Sequence, residues 1–191
     1  MLKRFFAKLD LYGEAHSIED KSIKDFVFAV LDVADPRFWT DPSSSSGKWH
    51  PPEDQGEGGI IRHELKAIEV AKELSRYYNL GQKETDMTLA ATILHDINKN
   101  GIPWKDKTDY EHGLITYNLL EKFKLEDKEV KETIRNAVRY HMWKWCQPES
   151  ELERALKPNK IENIVQLADY IASRKGISFM PGIPTRGYLE K

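Results

Sequence analysis

Apolar residues recur along this chain at steps of three and four, and strand-like alternation is nearly absent, so the pattern predicts helices. Ile23, Phe26, Val27, Val30 and Leu31 fall at helical spacing behind Ser17-Ile18-Glu19-Asp20, which has the form of a capping box. Asp35-Pro36 is expected to end that segment. Residues 36 to 59 break the pattern with Asp41-Pro42, Ser43 to Ser46, Pro51-Pro52, Gly56, Gly58 and Gly59, the composition of a long loop. Loops of this length are usually functional or disordered. Trp49 and His50 in its middle suit a lid over a site, and a solvated surface insertion is the alternative.

From Ile60 onward a series of helices is expected. The first runs from about Arg62 to Tyr78, with Leu65, Ile68, Ala71 and Leu74 or Ser75 as its stripe. The second runs from about Glu84 to Ile97, stopped by Asn100-Gly101 and Pro103. Others begin near Tyr110, Asp127 and Lys160, and the Pro- and Gly-containing tail after Gly176 reads as irregular and packed over the surface. The chain thus divides into a helical segment (1–35), a loop or lid (36–59), an all-α bundle (60–175) and a tail (176–191).

Composition adds limits. The 191 residues suffice for one domain with a real core. With 29 basic and 31 acidic side chains the net charge is -2, so no global field draws in nucleic acid. Cys146 is the one cysteine, which rules out an internal disulfide or a Cys cluster and suits a reducing compartment. No apolar run approaches the roughly 18 residues of a membrane helix. Lys8 and Asp10 interrupt the basic and apolar start, Met1 to Phe6, which therefore reads as an amphipathic helix rather than a signal peptide. A cytoplasmic protein is expected.

The chemistry lies where polar residues fall on apolar stripes. His141 shares a stripe with Val130, Ile134, Ala137, Val138 and Trp145, and His112 leads Ile115, Leu119 and Phe123. Asp169 falls between Val165 and Ala172 on the stripe of Ile161, Val165, Ala168 and Ala172. One inward histidine is usually a hydrogen-bonded core residue. Three ionisable residues on three helices, plus His95-Asp96 at the end of an apolar helix, need a common partner, because each costs several kcal/mol to bury alone. A shared cation meets that need. Imidazole and carboxylate without thiolate suit Mn, Fe, Zn, Co or Ni. His63, His95, Asp96 and Asp169 offer four ligands, and His112 and His141 bring the set to six, enough for two divalent ions.

These residues resemble the motif of the HD superfamily of phosphohydrolases. Gly58-Gly59-Ile60-Ile61-Arg62-His63, the run Ala91 to Lys99 carrying His95-Asp96, and Leu167 to Arg174 carrying Asp169 each resemble the family's local contexts. The resemblance implies an HD-domain helical bundle and a metal-dependent phosphohydrolase acting on a nucleotide or related phosphorylated small molecule. The order His63, His95-Asp96, His112, His141, Asp169 is similar to the dinuclear branch, in which the Asp of the pair bridges two metals. In the alternative, His112 and His141 line the pocket of a one-metal enzyme. The Gly-Tyr-Pro signature of the branch that cleaves cyclic dinucleotides is missing, since Leu189 follows Gly187-Tyr188.

On this reading Asp96 and Lys99 are catalytic, Lys99 stabilising developing negative charge; a solvated lysine completing a helix end is the alternative. Arg174 and Lys175 would grip phosphate unless they form a solvated face, and His50 would donate to substrate from the lid. Trp49, Trp104, Trp143 and Trp145 either stack on a base or pack. Nucleoside monophosphates, triphosphates, cyclic nucleotides and short oligonucleotides all fit, nucleic acid only in that last form. No membrane is expected, and a homodimer is compatible. A diiron oxygenase with the same ligands is the second reading, and a non-catalytic HD sensing or binding module the third.

Overall fold

The structure, a computed structural model, describes residues 2–176, with side chains from Lys8 onward. The tail expected to be irregular lies outside the described residues, Gly176 apart. Among the described residues the chain forms α-helices and short 3-10 turns, with no strand. The helices are α1 (Leu2–His16), α2 (Lys21–Leu31), α3 (Gly59–Tyr77), α4 (Gln82–Leu94), α5 (His112–Leu120), α6 (Lys128–Tyr140), α7 (Leu152–Ala155) and α8 (Lys160–Ala172). The protein is an all-α helical bundle. None of its described helices is long and apolar enough to cross a membrane.

α4 is the axis. Every residue from Asp86 to Leu94 is buried, so it is enclosed on all sides. α2, α3, α6 and α8 pack around it. Asp86 ties the N-terminal segment on by accepting from the backbone N–H of Glu19 and Asp20. α3 and α8 meet along Ala67, Ala71, Ala168 and Ala172, with Ile164 filling the seam. Methyl-sized side chains let the two backbones approach closely. That approach brings His63, one turn before Ala67, to Asp169, the neighbour of Ala168.

Several boundaries differ from the sequence pattern. Asp20, not Ser17, caps α2, accepting from the N–H of Ser22 and Ile23. α2 ends at Leu31, and Asp35-Pro36 instead opens a 3-10 turn, Pro36–Trp39. On α5 the residues buried with His112 are Gly113, Thr116 and Leu120 rather than Ile115 and Leu119. α6 ends at Tyr140, so Trp145 leaves the stripe it was expected to extend and sits in the 3-10 turn Trp143–Trp145. The break lies at Trp143, whose φ of 49° no right-handed helix continues.

The loop over residues 36–59 is a packed strap rather than a solvated insertion. Ser43 bonds the Asp54 carbonyl, and the Gly58 and Ile60 N–H groups bond the carbonyls of Thr40 and Asp41. Arg62 holds the carbonyls of Glu53, Gly56 and Glu57, and Lys66 reaches the buried Asp54 carboxylate.

α5 seats against the end of α6 through Gly113, where an added Cβ would lie 2.6 Å from the Arg139 carbonyl oxygen and 3.2 Å from that of Val138. Gly113→Ala is therefore expected to lower stability by about 1–3 kcal/mol, read as a reduced urea midpoint. An unchanged midpoint would show that α5 can leave α6 freely.

Candidate metal centre

Five helices deliver the predicted ligands to one place. α3 supplies His63, the C-terminal end of α4 supplies His95 and Asp96, α5 opens with His112, α6 is followed by His141, and α8 supplies Asp169. All are buried except Asp169, whose side chain is 21% exposed.

The two Asp96 carboxylate oxygens look in different directions. Oδ2 lies 3.8 Å from His63 Nε2 and 3.7 Å from His95 Nε2. Asp169 Oδ1 closes this first group, 3.0 Å from His63 Nε2 and 3.7 Å from His95 Nε2. Asp96 Oδ1 lies 3.0 Å from His112 Nε2 and 3.8 Å from His141 Nε2, forming a second group. Donors bound to one ion at about 2.0–2.2 Å stand about 3.0–3.5 Å apart. The separations in both groups are close to that spacing.

The histidine orientations come from the helix ends. His95 Nδ1 donates to the Thr92 carbonyl at 2.7 Å, His112 Nδ1 to Asp109 at 2.6 Å and His141 Nδ1 to Val138 at 2.7 Å. In each case the acceptor is the carbonyl three residues earlier. A carbonyl only accepts, so each Nδ1 carries a proton, and in the neutral imidazole that a metal binds each Nε2 offers a lone pair inward. His112 Nε2 and His141 Nε2 are 2.9 Å apart, and two lone pairs at that distance call for a cation. His95 Nε2 is buried with no hydrogen-bond partner. The donor set fits one or two divalent transition ions, His63, His95, Asp96 and Asp169 serving one and Asp96, His112 and His141 the other.

Charge points the same way. Burial would raise the Asp96 and Asp169 pKa values, but Lys99, His95 and His112 around Asp96, and His63 and His95 at Asp169, hold both well below the usual carboxylate range. Burial works against the Lys99 ammonium, yet Asp96 and Asp169 outweigh it and hold its pKa up. Burial likewise opposes charge on His95, and the Glu64 and Asp96 carboxylates overcome it. The carboxylates thus draw positive charge onto Lys99 and onto His95, and a bound cation would take the place of the His95 proton. His141 is pushed down to about 3 by burial beside His112 and His95. A neutral imidazole is the form a metal needs.

Lys99 is buried and donates to Asp96 Oδ2, so the solvated-lysine alternative does not hold. His50 is buried with its ring edge-on to His63, centroids 4.7 Å apart, and burial pushes its pKa down to about 2. The structure does not bring Arg174 and Lys175 into the cluster. Arg174 donates to the Tyr170 carbonyl and Ser173 Oγ, and Lys175 to the Gly47 carbonyl. His16 packs on Phe28, away from the cluster.

The sequence reading overlooked Glu64. It is fully buried on α3, with Oε2 3.2 Å from His95 Nδ1. Its signal was present, since Glu64 falls in register between Ile60-Ile61 and Ala67-Ile68. Asp54, buried with a carboxylate oxygen within 4.8 Å of ring nitrogens of His50 and His63, gave no such signal from a loop.

Glu64→Gln is expected to weaken metal binding about 10- to 100-fold, read by chelator competition on protein whose helix content is unchanged. Unaltered affinity would leave Glu64 with no hold on His95.

Compared with known proteins, residues 60–174 match the family model described as the HD domain. The match runs from α3 through α8 and includes all six residues of the cluster. No curated protein and no solved structure matches the chain.

Proposed function

The chain belongs to the HD domain family, and on that premise we propose that it is a metal-dependent phosphohydrolase acting on a nucleotide or related phosphorylated small molecule. The observation that carries this reading is the division of Asp96. One buried carboxylate turns Oδ2 to His63 and His95 and Oδ1 to His112 and His141. That arrangement suits a bridge between two ions, with Asp169 completing the first site. When bound, such ions supply a water of lowered pKa and neutralise charge on the phosphoryl oxygens.

The chain's own residues do the rest. The carbonyls of Thr92, Asp109 and Val138 fix three imidazoles in the tautomer that leaves Nε2 free. Lys99 holds Asp96 in place and keeps a positive charge beside the position where the phosphoryl group gains negative charge. His50 packs edge-on against His63, where it excludes water and steadies that ligand. Asp169, the one partly exposed residue of the cluster, marks the side from which substrate enters.

The test is phosphate release from nucleoside monophosphates, triphosphates and cyclic nucleotides by the full chain with added manganese. Turnover abolished by chelator is expected. Asp96→Ala is expected to lose both bound metal and turnover, by at least about a hundredfold for the latter. Full metal content and turnover in that variant would contradict the assignment.

A further inference from the structure

Aromatic residues beside the cluster form one continuous surface. Trp145 and Tyr170 stack with ring planes 17° apart and centroids 6.1 Å apart. Trp49 packs on Trp145 at 6.5 Å, and Trp143 meets Tyr170 edge-on at 6.0 Å. Arg174 lies over both Tyr170 and Trp49, its guanidinium carbon 4.3 Å and 5.7 Å from their ring centres. Lys144 lies 4.6 Å from the ring centre of Trp145. Trp49 is 56% exposed and Trp145 37% exposed, which is expensive for two such rings in water.

The position of this surface is what gives it meaning. Trp49 adjoins His50, Trp143 follows His141 by two residues, and Tyr170 adjoins Asp169. Two stretches of chain thus carry an aromatic residue within two positions of a cluster member, and a third carries Trp49 next to His50, which packs on His63. Consecutive Cα atoms are about 3.8 Å apart, so the backbone that carries these residues runs directly past the cluster and past His50. Asp169 is the cluster's one partly exposed member, and Tyr170, the residue that follows it, joins the ring surface. The strap's backbone is fixed at this edge by Lys175, which donates to the Gly47 carbonyl at 2.9 Å. Trp143 is held at a φ of 49°, a conformation costly for a bulky residue that persists only where the surroundings impose it.

We propose that this surface binds the base of a nucleotide substrate, stacked on Trp49 and Trp145, while the phosphate lies at the Asp96 cluster. The proposal rests on the phosphohydrolase reading and narrows its substrate to a base-bearing one. Flat rings with cations on their faces are sequence-tolerant platforms for any base. Arg174 then serves the base rather than the phosphate, which agrees with its place on the two ring faces and not at the cluster.

The experiment compares adenosine 5′-monophosphate with ribose 5-phosphate, each as the methylenephosphonate so that no turnover intervenes. Calorimetry measures their binding to the full chain with manganese, in the wild type and in the double variant Trp49→Ala, Trp145→Ala. The base is expected to tighten wild-type binding about tenfold or more. The double variant should lose that advantage and bind the ribose compound as before. Equal affinities for the two compounds in the wild type, or an advantage that survives in the double variant, would overturn the proposal. Chelator separates this result from the parent reading. Ribose binding that chelator abolishes, with no base advantage, removes the base surface alone. A base advantage lost in the double variant, with ribose binding indifferent to chelator, supports the base surface and removes the hydrolase reading.

Discussion

A buried carboxylate at the end of a helix that is itself buried from Asp86 onward must be met by positive charge, and the bundle is arranged around that requirement at Asp96. α4 is enclosed from Asp86 onward, and the residues that follow it from His95 to Asn100 are buried too. Lys99 answers one oxygen directly. The remaining demand falls on four imidazoles, three of which are turned Nε2-inward by carbonyls of their own chain. Burying that many ionisable groups around one carboxylate is unfavourable unless a cation joins them. Packing serves this arrangement. The alanine seam draws α3 to α8 so that His63 reaches Asp169, and Gly113 lets His112 approach His141.

Much of this was legible in the sequence, because the ligands lie on periodic helices. Asp169 and His141 could be placed by counting from Val165 and Ala137, and the turn-by-turn burial of Val130, Ile134, Ala137 and Val138 follows the pattern. His112 was found inward on a stripe whose other members were misassigned, since a glycine and a threonine line the buried side of α5 and carry little apolar signal. Glu64 was passed over because a glutamate beside a histidine on a helix looks solvated until its register is counted.

What could not be read lies outside the helices. Nothing periodic marks Asp54 or His50 as buried, and the strap that buries them depends on backbone hydrogen bonds between residues apart in sequence, such as the Ser43 N–H to the Asp54 carbonyl. The gathering of Trp49, Trp145 and Tyr170 follows from the same strap and from the break at Trp143, neither of which hydrophobic spacing encodes. Arg174 illustrates the limit. Its place one turn after Asp169 suggested a grip on phosphate, yet two aromatic faces hold it instead.

The account stands or falls on whether the two oxygens of Asp96 serve two ions. The most direct measurement is the metal content of the full chain purified without chelator, counted per chain by element-resolved mass spectrometry. Close to two transition ions per chain is the expected result. One per chain would contradict the bridging role of Asp96 and return His112 and His141 to the pocket wall. None, even after incubation with manganese, iron and zinc, would contradict the metal centre itself.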